Sequence, residues 1–587
     1  MKRFKLCFFL LFCFSTTVTA QQTLYVDASS TAQSPNGSLE APFPNLNDAV
    51  ALASAGDSIF VAGGLYQESI HLDDNTGMIL MGGFAPGSFA ERNPALYPTT
   101  IQGDDTQAVI RIEYFGWADN PQRYHIDGFI IEHGQRGILA QNYLSGGWPE
   151  LVISNNIIRE NGGLTGSNDY GGGVASASML LELRNNHIHH NTCGKSAGFS
   201  VQLNSADHQV IIENNLVEFN DIFSDHGAGA GVQIYRGIIR NNIFRNNRIL
   251  ESWGWGGGLI VDGNRFSGFS DDIYILLSGN EYSHNTAPSG GGGLFIDEGA
   301  NVRMFNELIV HNESLSSRNG GLLVDGPRGT TQARTEISGI TIAHNTGADW
   351  NQGHAIHVED NSEVRIRNGI FWENTSTDNS VDFFVDDTSS LHIHYSIFQI
   401  GHAGNGDFQT FNSFTDDPLF GDAEAGNFYL KSTAGRWNPT SETWVTDDVS
   451  SPAIDAGDPD SPFDNEPTPN GDRVNLGAFG NTPYASMSSS STGIPFVGIP
   501  ESIQMIDAYP NPFNPTTNIR FYLDTAQEVR LEVYDVSGRW VQSLKTGFLN
   551  QGNHQLAFDA SHLPSGAYFI LLQTQTKRYA TKVMLVK

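Results

Sequence analysis

Five acidic residues recur at one place in a repeated wording. Gly257-Gly258-Leu259-Ile260-Val261-Asp262, Gly292-Gly293-Leu294-Phe295-Ile296-Asp297 and Gly320-Gly321-Leu322-Leu323-Val324-Asp325 each close on Asp. Ile356-His357-Val358-Glu359 and Phe383-Phe384-Val385-Asp386 close the same way. If equal positions of the repeat stack, these five side chains form one outward column on adjacent strands about 4.8 Å apart. Like charges at that spacing repel by about 1 kcal/mol even in water. Three arrangements relieve the repulsion. One is a hydrated acidic edge. Another is a Ca²⁺ held by Asp297, Asp325 and Glu359. The third is catalytic carboxylates drawn from Asp262, Asp297, Asp325 and Glu359, one protonating a glycosidic oxygen while another activates water or attacks.

Other side chains offer different chemistry. Between Gln21 and Pro500 the only lysines are Lys195 and Lys431. Lys195, with Arg236, is the alternative candidate for β-elimination, which needs a base for the C5 proton of a uronate and a cation for its carboxylate. Trp253, Trp255 and Trp350 fall in long loops, where aromatic faces can stack on sugar rings. His190, His284, His311 and His344 share one repeat position, as a hydrogen-bonded column or a Zn²⁺ site. Asp455, Asp458, Asp460, Asp464 and Asp472 crowd a turn-rich stretch, either solvated or gathered around Ca²⁺.

These residues need a scaffold that brings equal positions together, and the chain supplies one. A seven-residue phrase runs from Asn155 to Asn161 and returns at 185–191, 214–220, 241–247, 279–285, 306–312, 339–345 and 368–374. Its fourth position is apolar (Ile158, Ile188, Val217, Phe244, Tyr282, Ile309, Ile342, Phe371), while the third varies freely. That is the period of a strand with one buried face, and the repeat length is that of a solenoid. A second strand contributes its own inward row: Val201, Ile234, Val261, Ile296, Val324, Val358 and Val385. The phrase-ending Asn is expected in a left-handed bend, with its amide bonded to the equivalent Asn one coil away. The stretch 23–103 reads as strand, turn, short helix from Leu46 to Ala55, and strand, and such a cap shields the open end of the stack. The stack is expected to end near Gly401.

Lys2, Arg3 and Lys5, an apolar run from Leu6 to Phe14 and the small-residue site Val18-Thr19-Ala20 make residues 1–20 a signal peptide. Cys7 and Cys13 leave with it, so Cys193 is alone and the fold is held without disulfides. The formal net charge is −32, which repels nucleic acid and anionic lipid. No later segment is apolar enough for a transmembrane span. The glycine runs lack the lysine and the strand–loop–helix context of a phosphate loop.

The opening and the stacked coils together resemble the pectate-lyase-like β-helix superfamily over residues 23–484. The resemblance implies an all-β, right-handed parallel β-helix at 21–484, with an N-terminal cap and a C-terminal capping segment at 402–484. The motifs of polygalacturonase-type hydrolases and of chondroitinase-B-like or alginate lyases do not match, so no catalytic roles carry over. Residues 485–500 read as a Ser- and Pro-containing linker. Tyr509-Pro510-Asn511-Pro512-Phe513-Asn514-Pro515, the alternation Val529-Leu531-Val533 and the turns at Ser537-Gly538 and Ser565-Gly566 make 501–587 a small immunoglobulin-like β-sandwich. It resembles the type A C-terminal sorting domain of the type IX secretion system, which implies that the secretion machinery is a partner. The expected protein is secreted or on the outer-membrane surface and engages a polysaccharide or other glycan, with Ca²⁺ as the one candidate cofactor. Two readings stand: a hydrolase or lyase, and a non-catalytic binding or adhesive solenoid.

Overall fold

The computed structural model describes residues 21–488 and 507–586, apart from 74–76, 117–121, 145–146, 164–165, 167–168, 224, 252, 264–272, 317–318, 328–332, 349–352, 376–380, 400, 510–512, 524–525, 536–538, 551 and 575–577. The chain divides into two compact units, Met1–Ser491 and Thr492–Lys587. The signal peptide and Trp350 lie outside the described residues.

The first unit is a parallel β-helix. A coil from the middle of the stack shows the pattern at its fullest. Leu180–Arg184 and His187–His189 lie in a first, 23-stranded sheet, Thr192–Cys193 forms a corner strand, and Phe199–Leu203 joins a second, 12-stranded sheet. Each strand pairs in parallel with its equivalent one coil on, for example Ile158 with Ile188; in the second sheet Val201 pairs with Val232 and Val232 with Val261, so Val232 takes the place expected of Ile234, which pairs with Leu203. The inward rows merge into one apolar core running from Leu24 to Ile393. Each fully buried Val or Ile contributes roughly 1.5–3 kcal/mol.

The seven-residue phrase now has a role for each position. Asn155, Asn185, Asn214 and Asn241 take φ of 54–57°, as do Glu160, His190 and Asn246 near the other end of the phrase. The left-handed bends therefore fall on the first and sixth positions, correcting the expectation for the seventh. The seventh is a ladder. The Asn161 amide donates to Asn191 at 3.0 Å, Asn191 to Asn220, and so on through Asn247, Asn285, Asn312 and Asn345 to Asn374. A second ladder, unforeseen in the sequence, occupies the second position. It runs Asn156–Asn186–Asn215–Asn242–Asn280 and ends on buried Glu307. Both ladders also bond main-chain groups at the bends, which would otherwise be buried unpaired.

Among the described residues of the body the one helix, Leu46–Leu52, caps the start of the stack. It buries Leu46 and Ala49 in the core, and the Glu68 carboxylate receives the Leu46 and Asn47 N–H groups at 2.7 and 3.0 Å. At the far end the coils continue past Gly401: His402–Gly404 and Asp407–Phe411 still pair in parallel. The described part of the following segment lies along the flank of the stack. Phe420, Phe428, Leu430, Ala453 and Leu476 pack on the outward face of the first sheet, against Leu308, Val310 and Ile370. Ala485–Ser488, read as linker, are buried there, with Met487 N–H donating to Gly435.

The second unit has a three-stranded and a four-stranded antiparallel sheet around one core that includes Ile519, Leu531, Val533, Phe558 and Ile570.

Candidate functional site

The outward face of the second sheet changes character along the stack. One of its columns reads Leu139, Ala175, Ser200, Gly231, Ile260, Phe295, Leu323. Over Ala175, Ser200 and Gly231 the side chains nearly vanish, and a cavity of about 480 Å³ opens. Over Ile260, Phe295 and Leu323 the same space is filled by an apolar cluster with Trp255 against it. The cavity size falls within the range of small-molecule and glycan sites.

Polar groups converge on this cavity from several coils. Lys195 sits on its wall, its Nζ 2.5 Å from Asp225 Oδ2 and 5.4 Å from the centre of the Tyr170 ring. Asp225 Oδ1 lies 2.5 Å from His226 Nδ1. Asp225 holds φ of 86° at a position where the next coil has Gly254, a strained backbone for a residue with a side chain. Burial alone would raise its pKa, but the bonds from His226 and Lys195 hold the carboxyl below its ordinary value. Arg136 donates to the Tyr170 carbonyl at 2.9 Å and approaches Asp169 at 3.4 Å. The floor carries a polar row: Gln202 donates to Gln233, which donates to Asp262 Oδ2 at 2.9 Å.

The expected acidic column exists. Asp262 pairs with Asp297 and Asp325 with Glu359, and the pairing of Ile296 with Val324 makes Asp297 and Asp325 neighbours. Of the column only Asp262 lines the cavity. Burial, then Asp262 and Asp325, push the Asp297 pKa up to about 8. Glu359 is 3.2 Å from His357 Nε2, and Asp386 accepts the Asp360 and Thr388 N–H groups of a turn. Among the described residues no three His, Cys, Asp or Glu side chains are grouped to hold a metal ion.

Other expected residues separate. Arg236 is exposed in the bend after Ala230–Ile234, whereas Lys195 precedes Phe199–Leu203, so the two lie at opposite strand ends; Arg136 is the second cation of the cavity instead. Trp253 is exposed and its ring centre is 6.1 Å from that of Trp255, whose ring is 5.0 Å from His226. His284, His311 and His344 do stack, at 5.0 and 5.1 Å. They dock the returning C-terminal segment: His311 bonds the Ala423 carbonyl at 3.0 Å, and Phe428 packs on both His311 and His344. Arg136, Asp169, Tyr170, Asp225 and His226 were missed because they lie at the bends leading into the second sheet on successive coils, outside the recurring wording.

Known families match in three places. Residues 117–266 match the right-handed beta helix region, 354–457 a disaggregatase-related family, and 507–587 the secretion system C-terminal sorting domain. No curated protein matches the chain. Among solved structures, that titled crystal structure of pectate lyase Pel9A aligns at 14% identity with a TM-score of 0.38, covering 79% of this chain and 97% of that one. Among the described residues no helix is long and apolar enough to cross a membrane. The chain is a right-handed parallel β-helix with a type IX secretion sorting domain, exported to the cell surface or beyond it.

Proposed function

We propose that this exported β-helix binds an extracellular polysaccharide in the cavity of its second sheet, and that the preferred chain is neutral and rich in hydroxyls. The observation that carries the reading is the convergence there of the Gln202–Gln233–Asp262 row with Lys195, Arg136 and Tyr170. Amides and a carboxylate in a row suit the alternating donors and acceptors of sugar hydroxyls. Both cations already face carboxylates, Asp225 and Asp169, and Asp262 adds a further negative charge. A polyanion entering this site meets no surplus positive charge, in a chain whose overall field is negative.

A second reading, cleavage, draws on the carboxylates. Asp225 is held ionised, while Asp262 adjoins Asp297, whose proton is retained to about pH 8. In the cavity Asp225 suits the base of a hydrolysis and Asp262 is the other carboxyl of the lining, with Asp297 one coil beyond it. Elimination by Lys195 fits less well, because its ammonium is engaged as a donor to Asp225.

Incubating the exported protein with neutral and uronate-containing glycans, with and without Ca²⁺, tests both readings. Binding of neutral chains without products supports the first. New reducing ends without unsaturated-uronate absorbance establish hydrolysis. An absorbance rise establishes elimination. Absence of binding to any chain contradicts the proposal, and tight binding of uronate chains alone overturns the preference for neutral ones.

A further inference from the structure

The polar row on the cavity floor continues towards the N-terminal end of the stack. Register places Ala177, Gln141 and Glu113 in the same column as Gln202 and Gln233. The pairing persists one residue past these strands, where Tyr143 N–H donates to the Tyr114 carbonyl at 3.0 Å. Two residues beyond Glu113 and Gln141, Phe115 and Tyr143 stand face to face. Their ring centres are 4.5 Å apart, their planes differ by 4°, and each residue is 50% exposed.

This pair is held in place. The Tyr143 hydroxyl lies 2.6 Å from Gln141 Oε1, a group of the cavity lining, and 3.0 Å from Glu113 Oε1. Glu113 is in turn fixed by Arg111 at 2.5 Å and His71 at 3.1 Å. Two large rings are thus kept rigid and half in water, tied by hydrogen bonds to the cavity floor. A rigid aromatic face offers apolar area at small entropic cost, and the C–H face of a pyranose is its natural complement.

We propose that the Phe115–Tyr143 pair is a stacking subsite for a sugar ring of the same glycan that occupies the cavity. This rests on the carbohydrate reading of the cavity and extends it. From Glu113 to Asp262 the column crosses five coil spacings, about 24 Å. The bound chain therefore runs along the helix axis across several sugar units, and affinity depends on its length.

The test is calorimetric titration of the full exported protein with cello-, xylo- and manno-oligosaccharides from disaccharide to octasaccharide. Wild-type affinity rises steeply once the chain spans from the cavity to the aromatic pair. The double variant Phe115→Ala/Tyr143→Ala, with unchanged circular dichroism, loses about tenfold on long chains and nothing on short ones. Tyr143→Phe keeps the ring but removes the two hydroxyl bonds that steady it, and loses about threefold on long chains, less than the double variant. Unchanged long-chain affinity in the double variant, or equal loss at all lengths, overturns the subsite while leaving the cavity reading intact. A wild-type protein that binds none of these chains overturns both.

Discussion

The second sheet places equivalent residues on its outward face throughout, yet one stretch of coils holds a cavity and the next carries a packed apolar cluster. Where the column reads Ala175, Ser200 and Gly231 the surface is concave and lined with polar groups; where it reads Ile260, Phe295 and Leu323 it is closed by packing. The backbone is the same in both regions. A parallel β-helix therefore sets where a groove can run, and the size of one outward side chain per coil decides where it opens.

Altering either half tests this contrast. The largest effect is expected from Phe295→Ala, which empties part of the filled half. Phe295 is 3% exposed, and its truncation costs about 3–5 kcal/mol, read as a lower thermal midpoint without any gain in glycan affinity. Ser200→Phe imposes the filled pattern on the open half. It should cut glycan affinity by at least about a hundredfold, or about 2.7 kcal/mol, measured by titration with the midpoint near that of wild type. Lys195→Met removes the ion pair on the wall while keeping much of the side-chain volume. Affinity is expected to fall about tenfold, and a rise would show that Lys195 only neutralises Asp225.

The smallest effect concerns pH. The Asp297 carboxyl releases its proton near 3.8 in the unfolded chain and at about 8 in the folded one. Between those values the folded state holds the extra proton, so stability falls as pH rises through the window and levels off above it. Asp297→Asn should flatten that slope in denaturation curves taken across the window. Glu307, whose pKa burial also raises to about 8, keeps part of the slope in place. A slope identical to wild type would mean that the acidic column is open to water.

Much of the scaffold was legible because repetition marks it. The inward rows, apart from Ile234 standing where Val232 belongs, the Asn161-to-Asn374 ladder and the acidic column all follow from aligning repeated phrases with their copies. The ladder through Asn156 and Asn186 was equally visible in the letters. It was passed over because the first two positions of the phrase are both often Asn, and only the backbone separates a left-handed bend from a ladder. The returning C-terminal segment left no such signal: the outward third position is apolar at Leu308 and Ile370, which the segment covers, and equally at Ile157, Leu216 and Ile243. The cavity had none. Ala, Ser and Gly are unremarkable letters, and the wall residues Arg136, Tyr170, Lys195 and Asp225 meet only because corners of successive coils lie one above another. The Lys195–Arg236 pairing failed although the letters separate the two: Lys195 precedes its strand and Arg236 follows the equivalent one.

Hydrogen exchange of the exported protein, with and without a neutral oligosaccharide that it binds, addresses the central claim most directly. Added protection is expected in 136–142, 169–177, 195–203 and 225–234, the segments around the cavity. Protection confined to the filled coils, to the face covered by the C-terminal segment or to the sorting domain would contradict it.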